Sequence, residues 1–99
     1  MPNSPANSGW TIEVLETAKI EIDALPRRNR KLILDFIYEK LPQNPKRIGS
    51  PLDKMFDGFW RYRIGQYRII CQIEDDKLLV LVVRVGERSE VYRFPIVLQ

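Results

Sequence analysis

Three strand-like segments follow one another closely in the C-terminal half of the chain, and this spacing constrains the fold more than any other feature. They are rich in β-branched and aromatic side chains and cover residues 59–64, 67–74 and 77–85. Two-residue turns, Gly65-Gln66 and Asp75-Asp76, separate them. Because turns this short join only antiparallel neighbours, the sequence predicts an antiparallel sheet.

The N-terminal half has a different periodicity. Residues 10–15 alternate between apolar and polar side chains, which predicts a strand. From Glu16 the apolar residues recur at helical spacing in two segments that meet at Pro26. These residues are Ala18, Ile22 and Leu25 in the first segment and Ile33, Ile37 and Leu41 in the second. The order β-α-α-β-β-β predicts an α+β fold, a small antiparallel β-sheet with an N-terminal helical hairpin packed on one face.

A chain of 99 residues predicts one domain. We expect residues 1–9 to be a disordered lead-in, residues 10–94 to form the domain and residues 95–99 to be a tail. Residues 1–9 have neither the basic start nor the apolar run of a signal peptide, and a lone cysteine suits a reducing compartment. The expected location is the cytoplasm.

The chain has no histidine and one cysteine, which excludes a Ser-His-Asp or Cys-His catalytic site and a Cys/His zinc site. Cys71 falls on the apolar face of its strand and is expected to be a core residue. The acidic run at 74–76 has no second carboxylate cluster to complete a coordination shell. We therefore expect no metal site and no cofactor.

The charge pattern is more informative than the net charge of +3. If Gly65-Gln66 is a two-residue loop, Arg63 pairs with Arg68, and strand alternation places Arg61 on the same sheet face. Like charges that face each other destabilise a sheet, so three convergent arginines indicate an anionic ligand. The neighbouring aromatic residues fall on the other face of the sheet and are candidates for stacking bases, and a phosphodiester backbone is the natural ligand.

Further basic residues extend this prediction. Arg88 and Tyr92 are spaced i, i+4 on a predicted helical turn after the last strand. A cluster at the start of the second helix comprises Arg27, Arg28, Arg30 and Lys31. These four residues are candidate contacts to RNA or to an acidic protein, although an ordinary exposed helix end is the better explanation. Arg84 is expected to face away from Arg68 and to be a structural residue or a peripheral contact, unless the register slips by one residue and brings it into the site.

Four segments resemble the RelE/ParE superfamily of toxin–antitoxin toxins. They are LPRRNR at 25–30, LPQNPKRIGSPLDKM at 41–55, GFWRYRIGQYRIICQIEDDKLLVLVV at 58–83 and VGERSEVYR at 85–93. The resemblance covers roughly residues 10–94 and is most specific in the arginine-rich hairpin and the segment after it. It implies the same compact fold of a sheet and a helix pair. It also implies a cognate acidic antitoxin as partner, with the ribosome and mRNA as targets of the RelE-like branch.

For a RelE-like member, the resemblance implies a ribosome-dependent mRNA endoribonuclease that acts by attack of the RNA 2′-hydroxyl. The implied catalytic residues are Arg61, Arg63, Arg68, Arg88 and Tyr92. No residue is assigned as the general base, because arginine has a pKa above about 12. Two alternatives stay open: a ParE-like inhibitor of DNA gyrase without nuclease chemistry, and a non-catalytic RNA-binding relative.

Overall fold

The structure is a computed structural model that describes residues 9–52 and 58–87. Its centre is the hairpin of strands that the sequence predicts at 59–64 and 67–74, and both are confirmed. We number the strands in chain order, so these are β3 (Phe59–Ile64) and β4 (Tyr67–Glu74). Gly65 has a φ of 61° in the turn, a conformation that glycine adopts without steric cost. Arg63 lies opposite Arg68 in the register, as predicted.

The next strand, β5 (Leu79–Glu87), pairs antiparallel with β4. It begins and ends two residues later than predicted, because a 3₁₀ turn (Asp75–Lys77) and a left-handed residue, Leu78, make the connection longer than two residues. A β-bulge interrupts the register between Ile70 and Cys71, so that Ile70 lies opposite Arg84 and Cys71 opposite Val82. Val83 is therefore the extra residue of the bulge.

The sheet is mixed, which corrects the expectation of a purely antiparallel one. Strand β1 (Thr11–Val14) pairs parallel with β5, and a short strand that was not predicted, β2 (Ser50–Pro51), pairs antiparallel with β3. The strand order is β1-β5-β4-β3-β2. Short turns fix the pairing of neighbouring strands only, whereas β1 reaches β5 through a long crossover. The α+β fold class is nevertheless confirmed.

The helical hairpin is also confirmed. Helices α1 (Glu16–Asp23) and α2 (Arg27–Asp35) follow β1, and a π-helical turn (Phe36–Lys40) extends α2. A third helix of one turn, α3 (Pro45–Ile48), precedes β2. Five residues of the predicted apolar stripes are buried, and they are Ala18, Ile22, Ile33, Ile37 and Leu41.

The main core lies between these helices and one face of the sheet. Its strand residues include Tyr62, Ile69, Cys71, Val80 and Val82. A smaller apolar cluster of Phe59, Ile70 and Val83 occupies the other face. Strand β5 thus has buried side chains on both faces, as predicted for a central strand. Within the described ranges, every helix is too short or too polar to traverse a lipid bilayer.

Tyr62 joins several elements of the core. Its ring lies 5.7 Å from that of Phe36, and its hydroxyl donates a 2.8 Å hydrogen bond to the carbonyl oxygen of Pro45. Gly49 packs directly against the ring: a Cβ there would lie 2.8 Å from Cδ1 of Tyr62 and 2.9 Å from the carbonyl oxygen of Arg61. The chain between α3 and β2 can approach β3 this closely only with glycine at position 49.

We expect Gly49→Ala to destabilise the fold by about 1–3 kcal/mol, because the buried Tyr62 ring is fixed by its hydrogen bond and cannot move aside. Urea denaturation measures the change in the free energy of unfolding. Ser50→Ala, at an exposed neighbouring position, should change it by less than about 0.5 kcal/mol. Equal stability of Gly49→Ala and the wild type would contradict the packing described here.

Alkaline pH should also destabilise the protein. Burial raises the pKa of the Cys71 thiol above its ordinary value of 9.0. The pKa of the Tyr62 phenol is raised above its ordinary value of 10.0, mainly by burial and to a smaller extent by the charge of the nearby Cys71 thiolate. Below these ordinary values both groups keep their protons in both states. Above them the unfolded chain loses protons that the folded chain retains, so the free energy of unfolding falls by up to about 1.4 kcal/mol per pH unit and group.

Denaturation curves at increasing pH test this expectation. Cys71→Ala should remove the part of the decline that begins near pH 9.0, and the part that begins near pH 10.0 should remain. An identical pH dependence in wild type and variant would show that the thiol does not contribute.

Candidate nucleic-acid interface

The three arginines predicted to converge do share one face of the sheet. Arg61 and Arg63 lie on β3, Arg68 lies on β4, and Arg63 and Arg68 are direct cross-strand partners. Opposite residues in such a pair have Cβ atoms about 4.5–5.5 Å apart. We call the face of these three residues, which lies opposite the helices, the arginine face.

The three side chains differ in exposure. Arg61 and Arg63 are exposed, whereas Arg68 is only 7% exposed. The Nη1 atom of Arg68 donates hydrogen bonds to the carbonyl oxygens of Gly65, at 3.2 Å, and Tyr67, at 3.0 Å. This guanidinium is therefore held against the hairpin turn, and the other two arginines extend from the adjacent strand. The sequence pattern placed all three on one face but did not separate a fixed cation from two exposed ones.

No carboxylate within residues 9–52 and 58–87 forms an ion pair with the arginine face. The four ion pairs of this part of the chain are Lys31–Asp35, Lys46–Asp75, Lys77–Glu74 and Arg84–Glu21. Three guanidiniums on two adjacent strands thus produce a positive potential that neighbouring acids in the described ranges do not offset. Such a surface attracts anions, and guanidinium groups match the geometry of phosphate oxygens.

The expectation that aromatic rings beside the arginines stack bases is wrong for the hairpin. Tyr62 is buried in the core, and Trp60 and Tyr67 pack against that core from the same, helix-covered face. Tyr67 is further held by Asn29, whose Nδ2 donates a 2.8 Å hydrogen bond to its hydroxyl oxygen. Strand alternation puts these rings on the face opposite the arginines, so they stabilise the hairpin and do not line the interface.

Arg84 lies elsewhere than expected. The bulge shifts the register by one residue, so Arg84 lies opposite Ile70 and on the same side of the sheet as Arg68. Its guanidinium, however, is bound to Glu21 of α1, with Nε at 2.9 Å and Nη2 at 2.8 Å from Oε2. Sequence reasoning missed Glu21, because nothing in the local pattern links two residues 63 positions apart. A role of Arg84 in RNA contact stays a prediction that this ion pair does not favour.

The basic cluster at the start of α2 is separate from the arginine face, because α2 covers the opposite face of the sheet. Arg27 and Arg28 are exposed, and Arg30 donates a 3.3 Å hydrogen bond to the carbonyl oxygen of Asp23. Lys31 is hydrogen-bonded to Asp35 at 2.9 Å, and this contact raises its pKa. With Leu34 and Asp35, the four residues line a depression of about 680 Å³. Their contact with RNA stays a prediction.

Arg88 and Tyr92 lie outside the described residues. The structure does show where the strand before them ends. Gly86 lies opposite Arg68, and Glu87 lies opposite Tyr67 at the hairpin turn. Strand β5 therefore ends beside the turn of the hairpin that carries Arg63 and Arg68.

Cys71 is buried in β4, so its predicted place in the core is confirmed. Burial raises the pKa of its thiol and keeps it protonated at neutral pH, which excludes it as a nucleophile in the folded state. In the described part of the chain, no three acidic, cysteine or histidine side chains come together as metal ligands.

Comparisons with known proteins agree with this architecture. Residues 12–92 match the family model of the ParE toxin of the type II toxin–antitoxin system parDE. The toxin RelG of Mycobacterium tuberculosis is 31% identical over 84 residues, which cover 85% of this chain and 97% of RelG. The toxin RelE of the same organism is 29% identical, covering 85% of this chain and 87% of RelE.

A solved structure shows the same fold. In the crystal structure of the toxin–antitoxin complex RelBE2 from Mycobacterium tuberculosis, one chain superimposes with a TM-score of 0.77 and 27% sequence identity. The match covers 89% of this chain and the whole of that one.

Because the three arginines differ in burial and hydrogen bonding, we expect their replacement by alanine to have different effects on stability. Arg68→Ala removes two hydrogen bonds from a charged donor and should lower the free energy of unfolding by about 1–3 kcal/mol. Arg61→Ala and Arg63→Ala should change it by less than about 0.5 kcal/mol, because both side chains are exposed. Urea denaturation of the three variants measures this, and equal losses at all three positions would contradict a special role of Arg68 in the hairpin.

Proposed function

The chain belongs to the ParE toxin family of type II toxin–antitoxin systems, and on this basis we propose that it is a RelE-like endoribonuclease that cleaves mRNA on the ribosome. The observation that carries the proposal is the arginine face, where Arg63 and Arg68 lie opposite each other and Arg61 lies on the same side. The similarity of the chain to the toxins RelG and RelE supports its assignment to the RelE-like branch.

The proposed reaction needs no nucleophile from the protein. The 2′-oxygen of the RNA forms a bond to the adjacent phosphorus as the bond from phosphorus to the 5′-oxygen breaks, leaving a 2′,3′-cyclic phosphate and a 5′-hydroxyl. Negative charge accumulates on the phosphoryl oxygens in the transition state. Fixed cations near those oxygens stabilise it without having to reorganise.

The arrangement suggests a division of roles among the arginines. Arg68, fixed against the hairpin turn, and Arg63 opposite it would hold the scissile phosphate and neutralise this charge. Arg61 would lower the pKa of the attacking 2′-hydroxyl. From the resemblance, Arg88 would assist the leaving 5′-oxygen, and Tyr92 would orient a base so that the 2′-oxygen is in line.

Proton transfer is the step for which the chain offers no side chain with a suitable pKa among its proposed catalytic residues. The chain has no histidine, and arginine is a poor general base. Catalysis in this proposal therefore rests on positioning and charge, with the ribosome holding the message in a reactive conformation. We expect free RNA to be cleaved poorly. The basic cluster at the start of α2 would contact RNA phosphates away from the reacting bond.

We further propose that an acidic antitoxin protein is the partner of this chain. The similar RelBE2 structure is a toxin–antitoxin complex. An acidic, helical segment that covers the arginine face would neutralise its guanidinium groups and block access of RNA in one step. The helix pair offers a second surface, where Leu32 is 54% exposed beside a cleft of about 280 Å³ against the β3–β4 hairpin.

A ParE-like inhibitor of DNA gyrase is the second candidate, favoured by the family model that matches residues 12–92. Such a protein would bind its target without cutting nucleic acid. Inhibition of supercoiling by the purified protein, with mRNA on ribosomes left intact, would support this candidate. A protein that binds RNA with a steep salt dependence but releases no fragments would be the non-catalytic relative.

Cleavage of mRNA on programmed ribosomes tests the proposal. The double variant Arg61→Ala/Arg63→Ala should cleave at least about a hundredfold more slowly than the wild type, because it loses two of the cations near the phosphate. Its stability should stay near that of the wild type, so unfolding would not explain the loss. Arg68→Ala and Arg88→Ala, assayed under conditions in which each is folded, should also be slow.

Lys19→Ala serves as the matched control, since it removes an exposed cation from α1, on the other side of the sheet. It should cleave at the wild-type rate. If Arg68→Ala and Arg88→Ala both cleave as fast as the wild type, the assignment of the site is wrong.

A further inference from the structure

A hydrogen bond between two side chains joins α2 to the turn of the β3–β4 hairpin. Asn29, Leu32 and Ile33 are spaced i, i+3, i+4, so they share one face of α2, and this face borders the turn. Nδ2 of Asn29 donates a 2.8 Å hydrogen bond to the hydroxyl oxygen of Tyr67, and the bond is partly buried. Among the residues that the structure describes, no other hydrogen bond runs between α2 and the hairpin.

This bond crosses a cleft between the helix and the turn. The cleft has a volume of about 280 Å³ and is lined by Asn29, Leu32, Ile33 and residues 64–67. Gly65 and Gln66, the two residues of the turn, are exposed. Close packing against α2 therefore does not hold the turn on this side, and the bond from Asn29 fixes it across the gap.

Tyr67 connects this bond to the arginine face. The hydroxyl group of Tyr67 is held by α2, and its backbone carbonyl oxygen accepts a 3.0 Å hydrogen bond from Nη1 of Arg68. The carbonyl oxygen of Gly65, in the same turn, accepts a second bond of 3.2 Å from that atom. The position of the nearly buried Arg68 guanidinium therefore depends on the backbone of the turn, and Asn29 holds that turn through Tyr67.

We propose that Asn29 is a positioning residue for Arg68, because by holding the Tyr67 hydroxyl it fixes the turn whose carbonyl oxygens orient the Arg68 guanidinium. This inference rests on the proposed function, since the orientation of Arg68 matters for a reaction only if the arginine face holds the scissile phosphate. A displaced guanidinium would still attract RNA but would stabilise the charge on the phosphoryl oxygens less well. Loss of the bond should therefore lower the rate of cleavage and leave the affinity unchanged.

Three variants test the bond from both of its ends. Asn29→Ala removes the donor, and Tyr67→Phe removes the hydroxyl group while it keeps the ring. Asn29→Asp retains a hydrogen bond with donor and acceptor exchanged, because the Tyr67 hydroxyl can donate to a carboxylate. Glu39→Ala, at an exposed position in the π-helical turn that extends α2, is the matched control.

Single-turnover cleavage of mRNA on programmed ribosomes measures the effect on the reaction. At temperatures where every variant is folded, Asn29→Ala and Tyr67→Phe should each cleave about tenfold more slowly, with the concentration for half-maximal rate changed by less than about twofold. Asn29→Asp should stay within about threefold of the wild-type rate, and Glu39→Ala should match it. A wild-type rate for either Asn29→Ala or Tyr67→Phe, or a loss that appears only in the half-maximal concentration, would overturn the proposal.

The dependence on Arg68 distinguishes positioning from a general structural effect. In a protein that already carries Arg68→Ala, the addition of Asn29→Ala should slow cleavage by less than about twofold, because residues that act through one group have non-additive effects. A further loss of about tenfold in that background would show that Asn29 does not act through Arg68, and would overturn the proposal.

Another measurement does not depend on cleavage. In Asn29→Ala the NMR signal of the Nε–H group of Arg68 should shift, because the guanidinium moves with the turn, although residues 29 and 67 are 38 positions apart in the chain. In Glu39→Ala this signal should stay at its wild-type position. An unchanged Arg68 signal in Asn29→Ala would overturn the proposal. If the wild-type protein does not cleave mRNA, the proposed function fails, and this signal still decides whether Asn29 positions Arg68.

Discussion

The register of the β3–β4 hairpin is the constraint on which the rest of the molecule depends. Because side chains alternate along a strand, the pairing of Arg63 with Arg68 places the arginines on one face and the rings of Tyr62 and Tyr67 on the other. A shift of one residue would bury the arginines beneath the helices and expose the aromatic core. The two-residue turn at Gly65 therefore fixes both the core and the charged surface.

The two faces of the sheet accordingly differ in role: one packs against the helices, and the other presents the arginines. On the helix-covered face, Tyr62 links β3 to α3 through the Pro45 carbonyl oxygen, and Gly49 allows the chain to pass close to its ring. On the other face, Arg61 and Arg63 extend from the same strand that this packing holds in place. The packing of the core thus fixes the backbone from which these two exposed side chains extend.

Local patterns in the sequence were sufficient to predict the hairpin, its register and the apolar stripes of α1 and α2. Features that depend on distant pairing were not predictable in this way. The parallel pairing of β1, the bulge that moves Arg84 and the ion pair of Arg84 with Glu21 all join residues far apart in the chain. The burial of Arg68 was missed for a related reason: alternation gives the face of a side chain, but whether its guanidinium folds back onto nearby carbonyl groups depends on the three-dimensional turn.

In the proposed reaction, the arginine face promotes attack of an RNA 2′-hydroxyl on the adjacent phosphate. The most direct test is to identify the ends of the fragments formed when the purified wild-type protein acts on mRNA bound to ribosomes. The proposed chemistry predicts upstream fragments that end in a 2′,3′-cyclic phosphate or its hydrolysis product and downstream fragments that begin with a 5′-hydroxyl. Intact mRNA, or downstream fragments that begin with a 5′-phosphate, would contradict it.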